Sequence, residues 1–117
     1  MNKDLSFWKT NTNIEIDNNA VYIALSDKKY LDYIDEIPMY EIQEDFNQIF
    51  KDWKNDNDTY YEKDKEAFQL MITKQFVRVD CYGMTETSMN NIIDILFKYN
   101  CPLYDSSIDV RFDDDNF

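Results

Sequence analysis

Residues 67–82 read AFQLMITKQFVRVDCY, two apolar runs of strand length on either side of Lys74 and Gln75. In the second run Val77, Val79 and Cys81 share one side, and Phe76, Arg78, Asp80 and Tyr82 share the other, the period-two pattern of a β-strand. A slip of one residue would exchange those sides, so the apolar set holds the register. The run is therefore a hairpin of strands 67–73 and 76–82, and its neighbours are placed by it.

Downstream, Gly83 breaks the second strand, and Thr85 or Thr87 caps a helix by accepting the free N–H groups of its first turn. Met89, Ile92, Ile93, Leu96 and Phe97 follow the i, i+3, i+4, i+7, i+8 spacing of a packed amphipathic helix. Asn100 suits its C-terminal stop, and Pro102 prevents continuation. IDVRF (108–112) alternates as a last strand. DDDNF (113–117) is an acidic tail, with Arg111 the one base beside it.

Upstream, KNDNDTYYEKDKE (54–66) is polar and mixed in charge, and is expected to be an exposed loop. Pro38 suits the first turn of a helix, and Met39, Ile42, Phe46, Ile49, Phe50 and Trp53 place one apolar stripe along residues 38–54. DKKYLDYIDEI (27–37) reads either as a short helix or as a turn-rich connection. NIEIDNNAVYIALS (13–26) alternates as two short strands about an Asn-Asn turn, and residues 1–12 form a polar lead-in carrying Phe7 and Trp8. Strand, helix, strand, strand, helix, strand is the order of a ferredoxin-like split βαβ. The expectation is one α+β domain over residues 1–117, an antiparallel sheet with two helices on one face.

A chain of 117 residues has the usual size of a single domain, and 44% apolar and 16% aromatic content is too rich for disorder. Its 24 acids against 12 bases give a net charge of −12. That field repels phosphate backbones and anionic membrane surfaces, and attracts a positive protein surface. The expected partner is a basic protein, with no direct nucleic acid and no membrane. The N-terminal stretch carries no apolar core of signal-peptide length and no run approaches a membrane span, so a cytoplasmic location is expected. Cys81 and Cys101 are then expected as reduced, half-buried thiols.

The absence of His excludes the ordinary Ser–His and Cys–His pairs and the common zinc sets. A lone Gly excludes a phosphate-cradling loop. Chance carboxylate pairs among 24 acids carry no weight as an acid–base signal. Asp56 and Asp58 begin like a calcium loop, but Tyr61 and Ala67 stand where such a loop needs Gly and Glu. No enzyme, catalytic residue, cofactor or metal is expected. Contact through surface remains. Tyr60 and Tyr61 are aromatic anchors, and Asp56, Asp58, Glu62 and the tail residues Asp113, Asp114 and Asp115 supply steering charge and acceptors for Arg and Lys. The competing reading of those acids is a solvated face that keeps the protein soluble.

The helix and its exit, TETSMNNIIDILFKYNCPLY (85–104), and the acidic end IDVRFDDDNF (108–117) sit in a small, acidic, His-free chain. In that setting they resemble the immunity proteins of bacterial polymorphic and contact-dependent toxin systems, over roughly the last third of the sequence. The resemblance implies an inhibitor that neutralises a cognate toxin, often a basic nuclease, by covering its active site or a nearby surface. Phage-encoded inhibitors of host nucleases, including anti-CRISPR proteins and DNA mimics, share the same traits. In a mimic the acids from Asp27 to Glu66 and from Asp105 to Asp115 would stand in phosphate-like positions. A non-catalytic subunit or adaptor is the third reading.

Overall fold

A computed structural model describes residues 2–117, with elements in the order β1 (Asn2–Phe7), α1 (Asn18–Ser26), α2 (Met39–Ile49), β2 (Lys54–Asp56), β3 (Tyr60–Lys63), β4 (Glu66–Ile72), β5 (Val77–Tyr82), α3 (Glu86–Lys98), β6 (Leu103–Asp105) and β7 (Val110–Phe112). The hairpin forms as expected: β4 and β5 pair antiparallel with Ile72 opposite Val77 and Ala67 opposite Tyr82. Val77, Val79 and Cys81 are buried. At its tip Gln75 is buried as well. Its amide oxygen accepts from the Leu31 N–H at 2.9 Å, and its amide nitrogen donates to the carbonyls of Leu31 and Ile34 at 2.7 and 2.8 Å. These bonds tie the 27–37 connection, which is irregular rather than helical, to the end of the sheet.

The sheet is larger than the ferredoxin-like expectation. Seven strands run in the order β2-β3-β4-β5-β1-β6-β7, each antiparallel to its neighbours, so the α+β class with an antiparallel sheet stands, in a sheet with more strands than that expectation gives. The supposed polar lead-in is the strand β1, and it lies between β5 and β6. Leu5 faces Val79, while Phe7 faces Val77 on one side and Leu103 on the other. Leu5, Ser6, Phe7 and Trp8 are all buried. Only two apolar residues mark the inner side of this strand, too few to stand out as a period-two pattern beside Asn2, Lys3 and Asp4.

Residues 18–26 form the helix α1 and not a strand of a hairpin. Asp17 caps α1, its carboxylate accepting from the N–H groups of Asn19 and Ala20, so the Asn-Asn pair opens a helix instead of turning a hairpin. Val21 and Leu25 are buried on one helical face, while Ile23, between them, is exposed. A four-residue helical spacing had the look of strand alternation because Val21, Ile23 and Leu25 are all apolar. The 54–66 loop is likewise the β2–β3 hairpin, with Asn57 and Asp58 both at positive φ, as a type I′ turn demands.

The two expected amphipathic helices are present and close one face of the sheet. Ile42, Phe46 and Phe50 at α2 and Ile92, Ile93, Ile95 and Leu96 of α3 join Leu5, Phe7, Tyr61, Phe68, Leu70, Val77 and Val79 in the main core. α2 ends earlier than expected, and Met39 and Ile49 of its stripe are exposed. Asp45 joins the helices at the surface, accepting from Lys98 Nζ at 2.9 Å and from the Tyr99 hydroxyl at 2.6 Å. Thr85 caps α3 by accepting from the Ser88 N–H. At its other end Asn100 takes φ 60°, its N–H bonds the Phe97 carbonyl and the Cys101 N–H bonds that of Leu96, a Schellman ending. The last strand is shorter than IDVRF and is preceded by β6, with which it pairs.

Gly83, which ends β5, sits at φ +62°, and a Cβ there would lie 2.8 Å from the Lys65 carbonyl oxygen. Both the backbone conformation and the space demand glycine. The substitution Gly83→Ala is expected to lower stability by about 1–3 kcal/mol, read as a fall in the urea midpoint with an unchanged slope. An unchanged midpoint would show that the β5–α3 turn is not held in this form.

Candidate protein-binding face

The sheet's two faces are covered unequally. α2 and α3 lie on one, whereas α1 alone, among the described helices, packs on the other. Val21 and Leu25 join Trp8, Phe76 and Tyr104 there, with Tyr22 and Met71 half-buried beside them. Tyr22 touches Tyr104 of β6, and Ser26 accepts from Arg78 of β5 at 3.2 Å, so α1 crosses the strands over one half of the face.

The other half is open. Cross-strand pairing sets Asp56, Tyr60, Gln69, Asp80 and Asp4 side by side from β2 to β1 in one row. Lys54, Glu62, Ala67, Tyr82 and Asn2 form the next. A hollow of about 450 Å³, lined by Ser26, Thr59, Gln69, Met71, Arg78 and Asp80 among others, lies where the rows meet α1.

At the centre, Asp4 and Asp80 are directly opposed on neighbouring strands. Like charges in that position are unfavourable, and each carboxylate is partly compensated. The Tyr22 hydroxyl donates to Asp4 at 2.6 Å and the Ser106 hydroxyl at 3.0 Å. Burial and the bond to Asp4 push the Tyr22 phenol up, which keeps it a proton donor. Arg78 donates to Asp80 at 3.2 Å and lies 5.3 Å from the centre of the Tyr22 ring. Lys54 pairs with Glu62 at 3.7 Å. Asp4 and Asp56 form no ion pair within 4 Å among the described residues, although the Asp4 charge helps to raise the Arg78 guanidinium.

The sequence-predicted contact residues are dispersed by the fold. Asp56, Tyr60 and Glu62 fall on the open rows. Asp58 sits in the β2–β3 turn, where it exchanges hydrogen bonds with Asn55 at 2.9 and 3.0 Å. Tyr61 was expected at the surface and is fully buried on the opposite side of β3. Its ring stacks on Phe68 at 4.7 Å and 7°, and its hydroxyl bonds Asn47 and Gln43 of α2. Alternation along a strand is the reason: with Tyr60 facing out, Tyr61 must face in.

Asp113, Asp114 and Asp115 lie beyond β7, at the far edge of the sheet from β2. Six interstrand gaps separate the edges, about 29 Å at the usual spacing. The tail folds into a turn in which Asp113 accepts from the N–H groups of Asp115 and Asn116 at 3.0 and 3.1 Å. Arg111 forms no ion pair with these acids among the described residues, although the Asp113 charge acts on it. It turns inward over the Trp8 ring, 4.6 Å from its centre, and donates to the Trp8 carbonyl. Burial pulls its guanidinium down to about 10.

Asp4, Gln69, Asp80 and Tyr82 were missed as candidates. Asp80 and Tyr82 were already on the polar side of the hairpin, so the signal for half of the face was present. Asp4 required β1 to be recognised as a strand. Both cysteines are free and buried, and burial pushes the Cys81 thiol up to about 12 and the Cys101 thiol up to about 11, so neither supplies a thiolate near neutral pH. No group of three or more metal-ligating side chains occurs among the described residues.

Burial, then the nearby Asp58 carboxylate, raise the Tyr61 phenol from 10.0 to about 12. A raised phenol stabilises the folded state fully below pH 10 and loses that contribution as the pH climbs towards 12. Ultraviolet titration should therefore show a late step shared by Tyr61, Tyr99 and Tyr104, and Tyr61→Phe should remove one tyrosine's share of its amplitude. Truncation to Ala is expected to cost about 3–5 kcal/mol, against about 0.5–1.5 kcal/mol for Tyr61→Phe, measured by urea unfolding. Equal costs would mean that the ring is not packed on Phe68.

Comparison with protein-family models, curated proteins and solved structures found no match to this chain.

Proposed function

We propose that this chain is a non-catalytic inhibitor that neutralises a basic protein by direct binding, as immunity proteins of bacterial toxin systems do. The observation that supports it most is the uncovered half of the sheet, where Asp4 and Asp80 are held face to face by side chains that orient both carboxylates. Keeping two like charges opposed works against folding. A cation arriving from a partner relieves that opposition, so the arrangement favours the bound state. Net charge of −12 adds long-range attraction for a basic surface and speeds encounter. The tyrosines Tyr60 and Tyr82 beside the acids are of a side-chain type that protein interfaces favour. No helix is long and apolar enough to cross a membrane among the described residues, and we place the chain in the cytoplasm with its target.

The tagged chain, incubated with lysate of its source and washed at rising salt, should retain one basic protein at one-to-one ratio. Adding the purified chain should then abolish that protein's activity at equimolar ratio, with an association rate that falls steeply as salt rises. A retained protein that keeps full activity at saturation would mark the chain as a subunit or adaptor. Displacement of the partner by excess duplex DNA would favour mimicry of nucleic acid instead.

A further inference from the structure

We propose that the uncovered half of the sheet is the contact surface, and that its occupant is one basic amphipathic helix of the partner protein. This rests on the reading of the chain as a binder of a basic protein, and adds to it the surface used and the form of the segment that covers it.

The opposite face shows what the sheet needs: there α2 and α3 cover it together. The open face has α1 over one half and no second helix beside it among the described residues. The vacant strip is five strands long and two residue rows wide. Four interstrand gaps make about 19 Å, and two rows on one face of a strand make about 7 Å between centres. A helix is about 10–12 Å across with its side chains, and about 13 residues of it span 19 Å. The strip therefore accepts a helix of three to four turns, laid beside α1.

Chemistry selects the kind of helix. Tyr60, Ala67 and Tyr82 offer apolar contact, with Tyr82 37% exposed. Between them stand Asp4 and Asp56, which form no ion pair within 4 Å among the described residues, and Asp80, whose side chain is 32% exposed and pairs with Arg78. Lys or Arg at i and i+3 or i+4 on the arriving helix would meet Asp80 and Asp4, one gap of about 5 Å apart, and a third about ten or eleven residues away would meet Asp56, three gaps or about 14 Å on, while apolar residues of the same stripe meet the tyrosines. A second copy of this chain fits poorly, because two molecules of charge −12 repel. The strip is also fixed by strand hydrogen bonds, so its acids are held in register before binding, unlike acids in a terminal turn.

The test is an amide-shift titration of the full, isotope-labelled chain with a synthetic Lys/Leu amphipathic peptide of about 14 residues. A peptide of the same pattern with Gln for Lys is the control. Saturable shifts should centre on Asp4, Tyr60, Gln69 and Asp80 with the cationic peptide only. The combined change Asp4→Asn and Asp80→Asn should raise Kd at least about tenfold, whereas changing Asp113, Asp114 and Asp115 to Asn should leave it within about twofold. Gln69→Arg, at an exposed position in the middle of the row, should weaken binding similarly without touching the carboxylate pair. Saturable binding with shifts confined to the 113–115 turn or to α2 and α3 would overturn this inference and leave the chain a binder of basic proteins. Concentration-dependent shifts on the strip without peptide would overturn it in favour of a second copy. Absence of saturable binding at low salt would count against both the surface and the underlying reading.

Discussion

The pairing of β1 between β5 and β6 is the constraint on which the rest of the molecule depends. Through Leu5 and Phe7 it joins the two parts of the sheet beneath α2 and α3, and through Trp8 it supplies the floor on which α1 rests. Fully burying Phe7 alone is worth about 1.5–3 kcal/mol. The strand also orders the chain's ends in space. Lys3 bridges to Asp105 at 2.8 Å, and Arg111 folds back onto Trp8, so both sides of β1 are bound to the C-terminal hairpin β6–β7. Without β1, the β2–β5 ladder and the β6–β7 hairpin share no hydrogen-bonded edge.

That same strand creates the asymmetry from which function is inferred. Its alternation places Leu5 and Phe7 under helices and Asp4 on the open side, directly against Asp80. A sheet covered by two helices on one face and one on the other is half of a layer short. The exposed half carries acids and tyrosines in rows spaced by the backbone, a surface whose geometry is fixed by the strand hydrogen bonds. Tyr22 and Arg78 couple it to α1, since one bonds Asp4 and the other bonds both Asp80 and Ser26. α1 is therefore part of the site's support as well as the cover of the second core.

Legibility in the sequence followed the number of apolar residues each element uses. α3, with five spaced apolar residues, a capping Thr85 and the Asn100–Pro102 exit, was plain, as was the β4–β5 hairpin. β1 has two inward apolar residues and α1 buries two, and both were misassigned. In α1 the exposed Ile23 completed a false alternation. The β2–β3 hairpin was hidden by its polarity, although Asn57 and Asp58 are residue types that tolerate the left-handed conformation its turn requires. Among the contact candidates, Asp56, Tyr60 and Glu62 landed on the open face, while the neighbouring Tyr61 went to the core because residue type alone does not say which side of a strand faces out.

By itself, the sequence determined the charge, the lack of histidine chemistry, the α+β class, the two main helices and the side of β5 on which Asp80 lies. These follow from composition and local period, which need no knowledge of distant partners. Tertiary structure alone decided that Asp4 stands opposite Asp80, that the tail lies at the other edge of the sheet from the β2–β3 hairpin, and that one half of a face carries no helix among the described residues. Each is a relation between residues remote in the chain, set by which strand edges pair and how much apolar area each helix can cover, and no local pattern encodes it.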